Sequence, residues 1–98
     1  MTYNFSVTDE AQAEALIALN FYDDLSVKLG DRFLLDLDAV YKKISLHPLY
    51  YKYLTTRRKN KFRCTRLKSF PFLVIFHVLN NDVVVVSVLH TKRKKKIK

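Results

Sequence analysis

Cysteine, glycine, proline and tryptophan are nearly absent from this chain: one Cys, one Gly, two Pro and no Trp in 98 residues. A single cysteine excludes an internal disulfide and any multi-cysteine zinc site, and it fits a reducing compartment. So little Gly and Pro, beside 49% apolar residues and 13% aromatics, excludes a disordered chain and describes one compact domain. No apolar run approaches the ~20 residues of a membrane span, and no charged-then-apolar leader opens the sequence. The expected location is therefore cytoplasmic, with no membrane contact. Acids are the other scarcity. Residues 1–45 hold eight acids and four bases, whereas residues 46–98 hold one acid, Asp82, against fourteen bases. Lys and Arg segregated in this way point to a polyanion partner, because they gain affinity by displacing counterions from phosphates.

What is present is strongly patterned. Two long apolar runs, Phe70–Leu79 and Val83–Leu89, flank Asn80-Asn81-Asp82, which predicts a β-hairpin. Phe70, Phe72, Val74, Phe76 and Val78 share one face of its first strand, and Leu73, Ile75, His77 and Leu79 share the other. Both faces are mostly apolar, so that strand is expected to be central and at least partly covered on both sides. Phe62–Leu67 should pair with it. At the other end of the chain, Tyr3, Phe5 and Val7 alternate with polar residues as a short first strand.

Two helices lie between. Thr8 offers an N-cap hydroxyl, with Asp9 and Glu10 in the first turn. Ala11, Ala15, Ala18, Tyr22, Leu25 and Leu29 form one stripe, and Gly30 is placed to end that helix. Asp31 is placed to cap a second helix with the stripe Phe33, Leu37, Val40 and Ile44, ending before Pro48. The fold class is α+β: an N-terminal strand, an antiparallel two-helix hairpin, then a three-stranded antiparallel sheet. Residues 1–91 make one domain, and residues 92–98 a basic, flexible tail.

The candidate functional residues are cations at the ends of the sheet. Lys61, Arg63, Arg66 and Lys68 precede the hairpin, and Lys92 and Arg93 follow it. Tyr50, Tyr51 and Tyr53, interleaved with Lys52, Arg57, Arg58 and Lys59, suit stacking on bases or packing under a loop. His77 reads as a packed strand residue, His47 as a helix-end residue, and Cys64 as a small strand residue in basic company. No histidine pair has ligand spacing, so no metal and no cofactor are expected.

Leu29-Gly30-x-x-Phe33-Leu34, Ile44-x-x-x-Pro48, Arg63, Phe70-Pro71-Phe72 and Val88-Leu89-His90-Thr91-Lys92, in this order, resemble the RelE/ParE superfamily of toxins from bacterial type II toxin–antitoxin systems. The resemblance covers almost the whole chain. It implies a small toxin in a hetero-oligomer with a cognate antitoxin, whose acidic C-terminal segment wraps around it. ParE-like members poison DNA gyrase and are not nucleases. RelE-like members cut mRNA on the ribosome. In that second reading Arg63 and Arg66 would clamp the phosphate and His90 would move a proton, with Lys92 and Arg93 beside them.

The sequence departs from the nuclease pattern. No tyrosine follows Tyr53, the only acid after Asp38 is Asp82 in a turn, so no glutamate there serves as a base, and Lys95 stands where many close relatives of the His-Thr-Lys type carry proline. Three readings therefore stay open: a gyrase-directed toxin, an mRNA interferase using Arg63 and His90, and a non-toxic RNA-binding module. The first two require Arg63, Arg66, His90 and Arg93 to meet at one rim of the sheet.

Overall fold

The computed structural model describes residues 3–54 and 61–92. The order is β1 (Asn4–Val7), α1 (Asp9–Leu25), α2 (Val27–Leu46), a 3-10 turn (Pro48–Tyr50), β2 (Phe62–Arg66), β3 (Phe72–Leu79) and β4 (Asp82–His90). The strands form one sheet in the order β1-β4-β3-β2. Only β1 runs parallel to its neighbour, with Asn4 opposite Asp82 and Val7 opposite Val85. The sheet is thus mixed and four-stranded, because β1 joins the three antiparallel strands from across the fold.

Local chemistry explains the element ends. The Thr8 hydroxyl accepts the Ala11 amide at 3.1 Å, with Asp9 and Glu10 beside the positive end of α1. The β3–β4 hairpin closes through Asn80-Asn81, and Asn80 takes the left-handed conformation at φ 58° that asparagine tolerates. β3 begins at Phe72, two residues later than the apolar run, since Pro71 has no amide to give a ladder.

The junction between the helices differs from expectation. α1 stops at Leu25, and Ser26, fully extended at φ −172°, caps α2 by accepting the Leu29 amide at 3.4 Å. Neither Gly30 nor Asp31 ends or caps a helix. Gly30 lies buried in the first turns of α2, where a Cβ would stand 2.7 Å from Asp23 Oδ1 and 3.1 Å from Asp23 Cα. The glycine is there for close approach of the two helices. Gly30→Val is expected to cost about 1–3 kcal/mol, the range for overpacking, read as a lower urea midpoint; an unchanged midpoint would refute the close-packing account.

The hairpin of helices covers one sheet face. Phe33, Leu37, Val40 and Ile44 from α2, with Ala11 and Ala18 from α1, pack on Phe72, Val74, Phe76, Val83, Val85 and Val88. Each fully buried Val or Phe among these is worth about 1.5–3 kcal/mol of transfer energy. On the opposite face Leu73, Ile75 and His77 are only half-buried. The second face is therefore covered in part, as a strand apolar on both faces implied.

β1 pairs with β4 only as far as Val85, and a helix side chain takes over the edge beyond it. Glu14 accepts the Val88 amide at 2.8 Å and the Ser87 hydroxyl at 3.0 Å. Burial, and secondarily the Glu14 charge, push the Tyr41 hydroxyl up to about 12.

Candidate functional site

The turn joining β2 to β3 and the residues after β4 form one end of the sheet. Asp36 of α2 holds that turn, accepting the Lys68 amide at 3.2 Å and the Ser69 amide at 2.8 Å. Thr91 closes it from the β4 side, its amide and hydroxyl both donating to Pro71 O at 2.8 and 3.2 Å. Behind this turn sits an aromatic cluster in which Phe33 meets Phe70 at 5.4 Å and Phe72 at 5.5 Å. Phe72 in turn meets the His90 ring at 5.0 Å. A stiff rim results, carrying Arg66, Lys68, His90 and Lys92. The three cations are exposed and His90 is half-buried.

Strand parity separates the two arginines. Arg66 pairs with Leu73 and points to the face away from the helices, whereas Arg63 pairs with Phe76 and points to the helix side. Residues three apart on a strand cannot share a face, so these guanidiniums do not clamp one phosphate together. Arg63 is also turned outward, beyond the free edge of β2. There it donates to Tyr51 O at 2.7 Å and Tyr53 Oη at 3.0 Å, with its guanidinium carbon 4.2 Å from the Tyr53 ring centroid.

His90 pairs with Phe72, four residues along β3 from Phe76. Its row lies about 13 Å along the sheet from that of Arg63, and two strand spacings, about 10 Å, across it. The His90 ring accepts the Lys92 amide through Nδ1 at 3.1 Å. This end of the sheet thus carries Arg66 and Lys68 on the β2 side and His90 and Lys92 on the β4 side, with Arg66 on the opposite face from His90. Arg63 and Lys61, which adjoins the start of β2, lie away from it. The meeting of Arg63, Arg66 and His90 expected from the sequence does not form. Arg93 and the rest of the tail, with Arg57, Arg58 and Lys59, lie outside the described residues.

The remaining candidates take quieter positions. His77 packs its ring edge-on to Phe62 at 5.7 Å, and His47 ends α2 by donating its amide to Lys43 O. Cys64 is half-buried; burial pushes its thiol up, more than Lys52 and Arg66 draw it down. That favours the protonated, unreactive form. Among the described residues no three metal-ligating side chains converge. None of their helices is long and apolar enough to cross a membrane. Asp36 and Glu14, both essential to the rim's geometry, carried no signal in the sequence beyond lying on the polar side of a helix.

Neither a family model nor a curated protein sequence matches the chain. A solved structure does. A chain from the chromosomal ParDE toxin–antitoxin system of P. aeruginosa superposes with a TM-score of 0.77, covering 91% of this chain and 96% of that one. The fold is ParDE-like. Sequence identity is 14%, so the likeness is one of fold. The ParDE-like fold agrees with the α+β arrangement read from the sequence.

Proposed function

We propose that the chain is the toxin of a toxin–antitoxin pair, arresting growth by docking its cationic rim on DNA gyrase without cutting nucleic acid. The ParDE-like fold supports the toxin assignment. The observation that carries the non-catalytic reading is Arg63: its guanidinium is engaged by Tyr51 and Tyr53, on the far side of β2 from His90. General acid–base cleavage needs a proton-transfer group and a phosphate clamp on the same phosphate. Among the described residues Arg63, the phosphate clamp of the nuclease reading, does not meet His90.

In this reading Arg66, Lys68 and Lys92 act as fixed charges, and charge-driven docking, unlike cleavage, does not need Arg63 beside them, which relaxes the requirement drawn from the sequence. A cognate antitoxin with an acidic C-terminal segment neutralises the toxin in a hetero-oligomer. Ile17, Phe21 and Leu25, spaced four apart and 70%, 57% and 62% exposed, line α1 as an apolar seam that supports a tight protein partner.

Inducing the chain in bacteria is expected to stop growth, and co-expressing the adjacent partner gene to restore it. Supercoiling by gyrase should be blocked while message 5′ ends stay intact, and His90→Ala should leave the arrest in place. Codon-phased cuts that vanish in both Arg63→Ala and His90→Ala would overturn this in favour of an mRNA interferase. Normal growth with folded protein present would remove the toxin assignment itself.

A further inference from the structure

The segment after α2 forms a surface that the rim does not use. Residues 51–54 lie along the free edge of β2: the Cys64 amide donates to Lys52 O at 3.2 Å, the Leu54 amide donates to Phe62 O at 2.8 Å, and Tyr53 bridges to Arg63. Tyr51 is the anchor, its ring edge-on to the buried Phe76 at 6.0 Å. Tyr50 rests edge-on against Tyr51 at 5.1 Å and is 81% exposed. Tyr53, 48% exposed, is braced by the Arg63 guanidinium. Two solvent-facing rings are therefore held in place by a packed tyrosine and an arginine.

The sequence around these rings carries charge of one sign. From residue 39 to residue 81 the sequence contains no acid, and Lys52 and Lys61 stand exposed beside the tyrosines. Braced aromatic faces among cations match a ligand that offers flat unsaturated rings and regularly spaced negative charges. Single-stranded nucleic acid has both; a duplex hides its base faces, and an acidic peptide lacks them.

We propose that Tyr50 and Tyr53, with Lys52 and Lys61, bind single-stranded nucleic acid by base stacking and phosphate contact. Arg63 acts as the positioning residue that fixes Tyr53. This site is separate from the rim and does not depend on gyrase being the target.

The test uses the full-length chain and fluorescence anisotropy with a labelled oligouridylate, an oligothymidylate and a duplex of equal length. Tyr50→Ala should weaken both single strands about 5- to 160-fold, the range one base–aromatic stack supplies, and leave duplex binding unchanged. Tyr50→Phe, which keeps the ring, should bind like the parent. Because Tyr50 is so exposed, Tyr50→Ala should keep the parent's urea midpoint. Lys52→Ala should reduce the salt dependence by about 0.7 in the log–log slope, one phosphate contact. Oligonucleotide binding that is absent, or indifferent to Tyr50→Ala, would overturn the proposal. So would a Tyr50→Ala variant that loses binding to purified gyrase while retaining the oligonucleotides, which would make this a protein-docking surface. Growth arrest by the same variant is read separately, so failure here leaves the toxin reading standing.

Discussion

Phe33→Ala is expected to remove about 3–5 kcal/mol of folding stability, the largest effect of any single change considered. A domain of this size has about 5–10 kcal/mol to lose, so the variant should be largely unfolded well below the parent's melting temperature. Phe33 is fully buried. Tyr22 stacks on it at 5.5 Å, and Phe70 and Phe72 meet its edges and face at 5.4 and 5.5 Å. Truncation leaves a hole among three large rings that cannot collapse together, and Phe72 is the ring on which His90 rests. Phe33→Leu fills most of the space and should cost about 1.5 kcal/mol or less. Urea denaturation of the two variants decides the matter. A loss under about 1 kcal/mol for Phe33→Ala would mean the cluster does not hold the rim.

Glu14→Leu should be the next most damaging, at about 2–4 kcal/mol, from two charge-assisted hydrogen bonds and the stranded Val88 amide. The Val88 amide should exchange with solvent far faster in this variant, because nothing else described on that edge replaces the carboxylate. Glu14→Gln keeps an acceptor oxygen and should lose about half as much. It also separates the causes acting on Tyr41. Burial, the larger cause, persists in the variant, so Tyr41 should still ionise above 10 but below the parent's value of about 12. The sign follows from proton linkage. Neutral Tyr41 stabilises the fold fully below pH 10, and that contribution is lost as pH rises through the folded value. In Glu14→Gln the loss should therefore still begin near pH 10 but finish at lower pH and be smaller in total. Identical alkaline unfolding curves for the parent and Glu14→Gln would show that the carboxylate does not act on Tyr41.

Much of the architecture was legible because it depends on neighbours in the chain. The Thr8 cap, the stripe Phe33–Leu37–Val40–Ile44 and the Asn80-Asn81 turn all arise from groups within one or two turns of each other. The helix junction was misplaced for a local reason as well. Gly30 and Asp31 are strong punctuation, but the Ser26 hydroxyl reaches the Leu29 amide first, and Gly30 is required by α1 lying against it. Strand parity already put Arg63 and Arg66 on opposite faces, three residues apart. Their grouping as one clamp weighed charge above geometry.

By itself, then, the sequence determined which segments are helix and strand, which stripes face the core, and that one half of the molecule is strongly cationic. The tertiary structure decided the rest: β1 lying parallel to β4, Glu14 closing the edge that β1 leaves open, and Arg63 turning to the tyrosines while Arg66 and Lys68 stay at the end of the sheet that carries His90. Propensity and periodicity act over a few residues. Asn4 and Asp82, hydrogen-bonded at 3.0 Å, are 78 residues apart, and pairings of that kind are chosen only when the whole core packs at once.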